Sequence, residues 1–365
     1  MLYRLCCIFV VLGCCAAAGG GAGRVLTLPG DMHALALSSI DLVYKEEFKQ
    51  AQAVAKRIIK DYPAHPAGYF FLAAVLDAHM EHLQSNDDEI EFYRYCDIAI
   101  GKGEEMLDKT PDDLWAKFFI GGANGARGTY ESRYSRWITA FRYGWQGVAI
   151  FKDLLQKDST LHDARMGIAV YDYWRSAMMK MLWWMPGVED KREESIKELT
   201  AVMEDGVYVR EAAAKQLISI LNNEKRYAEA LALSEKMLQQ YPAFLVFHWG
   251  KAESLVGLGR WADAEKGLKY ILKRIEGEGA KGNYNEILCR YYLAKIYLEQ
   301  KRYPLCVYEC NTIAACRIDA DTRKRLEKHL ADVVDLKKQA EEGERRERQN
   351  LLKTERQPQT PRTPF

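Results

Sequence analysis

Seven small residues recur along this chain in a single phase, and that recurrence restricts the possible folds more than any other feature. They are Ala51, Ala99, Gly147, Ser195, Ala230, Ala264 and Cys306, at spacings of 48, 48, 48, 35, 34 and 42 residues. A second series stands on the segments before them: Ala73, Gly121, Ala169, Ile218, Ala252 and Ala294, five of the six being Gly or Ala. Small side chains at matched points let two antiparallel helices approach closely. The surrounding phrase repeats as well. FKQAQAVAKRIIKDYP from Phe48 and YAEALALSEKMLQQYP from Tyr227 both open on an aromatic, place Ala three residues later and end in Tyr-Pro; the phrase starts again at Trp261 with Ala264. Pro63, Pro111 and Pro242, with Ser159 in the fourth place, mark the turns, because proline cannot continue a helix.

Small residues at two helix-crossing points, an aromatic three before the second and a proline at the turn resemble the tetratricopeptide repeat, over residues 31–320. The resemblance implies an all-α solenoid of about seven antiparallel helix pairs, stacked because no pair buries its apolar face alone. The 48-residue spacing exceeds the 34 seen later in the chain by 14 residues, or about four helical turns. Two turns added to each helix keep the apolar faces in register, so long pairs are expected in the N-terminal half. The 42-residue step holds EGEGAKG at 276–282, a loop-like insert. A cap helix is expected from Asp321 to about Ala340. The expected organisation is 1–18 export signal, 19–30 flexible leader, 31–340 solenoid and 341–365 charged, then Pro/Thr-rich, disordered tail.

The export reading comes from Arg4 followed by the short apolar run LCCIFVVL at 5–12, too short to span a bilayer. Two cleavage readings stay open. Ala16, Ala17 and Ala18 offer a small-x-small site. Residues 11–14 (VLGC) resemble a lipobox ending the signal at 13, with Cys14 as the lipidated residue, though Leu12 stands where Ala or Ser is usual. Cys96, Cys289, Cys306, Cys310 and Cys316 remain beyond the signal. Their number is odd and no CxxC pair occurs among them, so a disulfide framework is not expected to hold the fold. A pairing of Cys289 with Cys306 or Cys310 stays open. The formal net charge of +1, from 52 basic and 51 acidic residues, gives no reason to expect a nucleic-acid partner.

Candidate binding residues come from several patterns. In the repeat family the first helix of each pair lines an inner groove. The position three before its small residue gives Phe70, Phe118, Met166, Lys215, Trp249 and Tyr291, a mostly apolar stripe suited to a peptide or equally to a core. Arg127, Arg133, Arg136 and Arg142, flanked by Tyr130, Tyr134 and Tyr143, suit carboxylate recognition or internal pairing. MMKMLWWMP at 178–186 places Trp183 and Trp184 in a sticky surface or a tucked helix end. Gly122, Gly125 and Gly128, with Gly121, read as a smooth helix face and not as a phosphate loop, since no strand precedes them and no Gly-Lys-Ser/Thr follows. His79 and His82 share a helix face but lack a third ligand, so no metal site is expected. Cys306 and Cys310 read as packing residues.

No HExxH, GxSxG or Cys-His constellation is present, so neither catalysis nor a cofactor is expected. Residues 118–128 (FFIGGANGARG) with YDYW at 171–174 resemble an exported bacterial subgroup of these repeat proteins. The expected role is a non-enzymatic protein- or peptide-binding scaffold of the bacterial cell envelope, periplasmic or attached to the outer membrane through Cys14. The alternative is a receptor for a small glycan or peptide, built on the Arg/Tyr segment and the groove aromatics.

Overall fold

Helices pair in sequence order. The computed structural model describes residues 27–179, 189–276 and 283–355, and every regular element among them is a helix. In the first half lie α1 (Met32–Tyr44), α2 (Phe48–Asp61), α3 (Ala67–Leu83), α4 (Glu89–Lys109), α5 (Leu114–Arg133), α6 (Trp137–Lys157), α7 (His162–Met179) and α8 (Arg192–Asp205). The second half holds α9 (Arg210–Asn223), α10 (Tyr227–Gln240), α11 (Leu245–Gly257), α12 (Trp261–Ile275), α13 (Tyr284–Glu299), α14 (Tyr303–Ala315), α15 (Ala320–Arg325) and α16 (Glu327–Glu355).

The nesting points behave as their size requires. All seven residues of the first series lie on the second helix of a pair, and all are buried; so are all six of the partner series. A close crossing joins α5 to α6, where a Cβ built on Gly147 would stand 2.8 Å from the Gly121 carbonyl oxygen. The glycine run divides its work differently from a single smooth face. Gly121 and Gly128 meet α6, Gly122 meets the Phe70 ring of α3, and a Cβ on Gly125 would meet nothing within 4 Å.

The extra length falls mainly in α4, α5 and α6, which have 21, 20 and 21 residues against 13 to 16 in α9–α14. The third 48-residue step is different: α8 has only 14 residues. The turn inside a pair is built on a left-handed residue in six of the seven pairs: Glu46, Gln84, Ser135, Lys225, Gly259 and Lys301. Only one of these is the glycine that such backbone usually favours.

Two boundaries move. Leu28, expected in the leader, is buried, and its amide donates to the Tyr208 hydroxyl at 2.8 Å. Helix α16 runs past the expected tail boundary at Glu341 to Glu355. Its outer part is solvated, carrying Glu342–Arg346 and Glu344–Arg348 pairs four residues apart, the spacing and order that support a helix lacking tertiary contacts. Nearer its start, Val333, Leu336 and Ala340 cap the core over α13 and α14. The expected signal, with Cys14, lies outside the described residues, as do Trp183 and Trp184 and residues 277–282 of the insert. Cys96, Cys289, Cys306 and Cys310 are buried and Cys316 is half-buried; all five are free thiols.

The stack winds back on itself. Tyr44 at the end of α1 packs with Ala214 and Ile218 of α9, Met237 of α10 and Phe247 of α11. Tyr208, before α9, reaches the Leu28 amide, His33 Nδ1 at 2.6 Å, and the rings of Phe71 and Trp115. One oxygen of Asp163 fixes that loop by accepting from the amides of Val207, Tyr208 and Val209 at 3.0, 2.9 and 3.0 Å.

Candidate binding cavity at the centre of the coil

Glu46 closes the coil. Held at a positive φ between α1 and α2, it accepts from the Leu245 amide at 2.6 Å, pairs with Arg274 and lies 3.2 Å from His82 Nδ1. Burial opposes its ionisation, but His82, the Leu245 amide and Arg274 together hold its carboxyl below the usual range. Further contacts cross the coil. Lys215 of α9 reaches Glu81 of α3 at 2.5 Å. Asn285 of α13 donates to the His82 carbonyl at 3.0 Å. Arg325 of α15 donates to the Gln84 carbonyl at 3.1 Å and lies over the Tyr284 ring at 4.0 Å.

Between these contacts a cavity of about 200 Å³ remains. Leu245, Val246, Trp249 and Glu253 line it from α11, Tyr284, Asn285, Leu288 and Tyr292 from α13, and Glu81, His82 and Gln84 from the end of α3. Residues four apart on a helix share a face, so 245, 249 and 253 form one inward row, and 284, 288 and 292 another. Glu253 differs from the other polar groups. It is exposed to water within the concavity, and the surrounding protein raises its pKa above the ordinary carboxylate value. Burial, followed by the charge of Glu253, pushes the Tyr292 phenol up.

The inner stripe expected from the sequence is brought together only in part. Trp249 lines the cavity and Lys215 faces the coil interior. Phe118 is 4% exposed and Tyr291 5%, so both are core residues; Tyr291 points to α16, its hydroxyl 2.9 Å from Asp332. Phe70 and Met166 are half-buried against aromatic and aliphatic neighbours. The error has a geometric cause: one residue along a helix is a rotation of about 100°, which makes Tyr292 rather than Tyr291 the inward group.

Three members of the arginine series meet carboxylates within the chain, the internal-pairing alternative of the sequence reading. Arg127 meets Asp97 at 2.5 Å, Arg133 meets Asp77 at 2.8 Å, and Arg136 meets Glu89 at 2.9 Å. Arg142 lies over the Tyr143 ring. Among the described residues no group of three His, Cys, Asp or Glu is placed to hold a metal, and no helix is long and apolar enough to cross a membrane. Sequence reasoning missed Glu46, Glu253, Leu288 and Tyr292. Stepping four residues on from Trp249 would have found Glu253.

Paired helices nested on small residues define a helical-repeat protein. Residues 221–277, spanning the end of α9 through α12, match the family model described as tetratricopeptide repeat. Residues 221–277 are thus a tetratricopeptide-repeat segment, and the thirteen buried nesting points in phase continue the same mode of helix pairing through the rest of the stack. No curated protein matches the chain. Similar solved structures include a tetratricopeptide repeat protein from Parabacteroides merdae, at 13% identity and TM-score 0.36, covering 85% of this chain and 98% of that one. Another is a thermophilic TPR protein of Thermus thermophilus, at 16% identity and TM-score 0.38, covering 62% and 99%. A third is the Cut9–Hcn1 hetero-tetramer of the APC/C, at 11% identity and TM-score 0.25, covering 86% and 71%. These likenesses are too distant to bear on function.

Proposed function

We propose that this chain is a non-enzymatic, protein-binding scaffold of the bacterial cell envelope that engages its partner at the central cavity. The observation that carries this reading is the division of the inner surface. Much of it is occupied by contacts within the chain, from Glu46, Lys215 and Asn285, whereas Trp249 and Glu253 line an opening. A partner therefore inserts a side chain there instead of laying an extended segment along a groove. Export is supported by Arg4, the apolar run at 5–12 and the two cleavage patterns. Mass spectrometry of the mature N-terminus tests it: a diacylglyceryl group on Cys14 means a lipid anchor, a start after Ala18 means soluble export, and an intact Met1 removes the envelope from the proposal.

The partner is tested with a photo-crosslinking residue placed at 249 and, separately, at the exposed position 138 on α6. One stoichiometric protein adduct at 249, absent at 138, is the expected result. Adducts of equal yield at both positions, or none at 249, would remove the cavity from the binding surface.

A further inference from the structure

We infer that the central cavity is a receptor for a single basic side chain, lysine or arginine, presented by the partner protein, with Glu253 as its counter-ion and Trp249 and Tyr292 as its walls. This rests on the proposal above that a protein partner enters the cavity, and adds the chemistry of what enters.

Charge is the first argument. The cavity lining carries two carboxylates and no lysine or arginine. Glu81 is neutralised by Lys215 at 2.5 Å. Glu253 makes no ion pair or hydrogen bond among the described residues. Cations on the elements around the cavity are engaged elsewhere: Lys251 with Glu235 at 2.9 Å, Arg274 with Glu46, and Arg325 with Gln84 and the rings of Tyr134 and Tyr284. A carboxylate surrounded by protein is disfavoured in its charged form unless an opposite charge comes close. An incoming ammonium or guanidinium supplies that charge.

Shape is the second. About 200 Å³ falls below the roughly 300–1,000 Å³ of pockets that enclose drug-sized molecules, so a side chain fits better than a folded segment. The walls suit the stem of a basic residue: Trp249 one turn before Glu253, with Leu288 and Tyr292 opposite on α13. Aromatic faces attract cations, and aliphatic stems of Lys and Arg lie well against apolar walls. A metal ion is a poorer match, because Glu253 belongs to no group of three ligating side chains among the described residues.

The test uses the purified full-length chain and end-blocked heptapeptide pools whose central residue is Lys, Arg, norleucine or citrulline. Affinities are read by fluorescence anisotropy. The Lys or Arg pool should bind at least tenfold tighter than its uncharged counterpart. Glu253→Gln should bring the basic pools down to the uncharged level while its melting temperature stays equal or rises. Norleucine binding as tightly as lysine, an unaffected Glu253→Gln, or no binding by any pool at millimolar concentration would overturn the inference. Agmatine or cadaverine outcompeting the peptides would also overturn it, by assigning the cavity to a free amine. If crosslinking at 249 still captures one partner while the pools fail to discriminate, the scaffold reading stands and only the basic-side-chain receptor falls.

Discussion

Gly147 and Gly125 are both helical glycines at the α5–α6 contact, yet they answer to opposite constraints. A methyl group on Gly147 would press on the Gly121 carbonyl at 2.8 Å, and backbone cannot turn aside. Gly147→Ala is expected to cost about 2 kcal/mol, in the range of overpacked cores. Gly125 faces open space, so Gly125→Ala is expected to gain roughly 0.5–1 kcal/mol from helix propensity. Chemical denaturation of the two variants checks the pair, and equal signs would contradict the crossing geometry. Glu265 offers a pH test. Burial opposes its ionisation, but hydrogen bonds from Arg302, Lys269 and Tyr297 outweigh this and pull its carboxyl down to about 2. A depressed carboxyl stabilises the fold fully above its unfolded value near 4.5 and loses that contribution as pH falls towards 2. Glu265→Gln is therefore expected to cost about 2 kcal/mol at pH 7, allowing for solvent screening of its exposed cation partners, with the difference closing near pH 2. A pH-independent difference in denaturation midpoints would show that the carboxylate charge is not what matters.

At the scale of the element, the helix pairs were legible because nesting imposes small side chains at fixed places, and Ala51, Gly147 and Ala264 show that signature in the sequence. Turns inside the pairs were not legible by the usual sign. Glu46, Ser135, Lys225 and Lys301 adopt left-handed backbone without being glycine. The cavity was half legible: Trp249 follows from repeat phase, but which of two adjacent tyrosines on α13 faces inward depends on the rotation of that helix against α16. Contacts across the coil leave no periodic mark, since they join Lys215 to a residue 134 positions earlier. That pair is itself testable. Lys215→Met leaves Glu81 close to Asp77 with Arg133 as the remaining cation. The cost is expected to be about 2–3 kcal/mol, somewhat below that of breaking a fully buried pair because the Lys215 and Glu81 side chains keep 19% and 18% of their exposure.

For the whole molecule, closure changes how stability is shared. In an open solenoid each repeat answers mainly to its neighbours, and unfolding spreads along the array. Here the turn after α1 is bonded to α11, and the end of α3 to α13 and α15. Thermal unfolding should accordingly be one cooperative transition, seen alike by far-ultraviolet circular dichroism and by tryptophan fluorescence. Removing residues 283–365 should raise hydrogen exchange in α3 by about tenfold or more, although the cut lies some two hundred residues away. Unchanged protection of α3 would mean that the cross-coil contacts carry little free energy.

A linear array can gain or lose a module in the course of descent and keep its surfaces. A hoop fastened at Glu46 has no such freedom. One extra unit spliced between α8 and α9 would carry Lys215, Leu245 and Asn285 past their opposite numbers, unfastening three clasps with one insertion. Relatives that share this closure should therefore share its number of modules, with length variation confined to the loops and to the far end of the last helix.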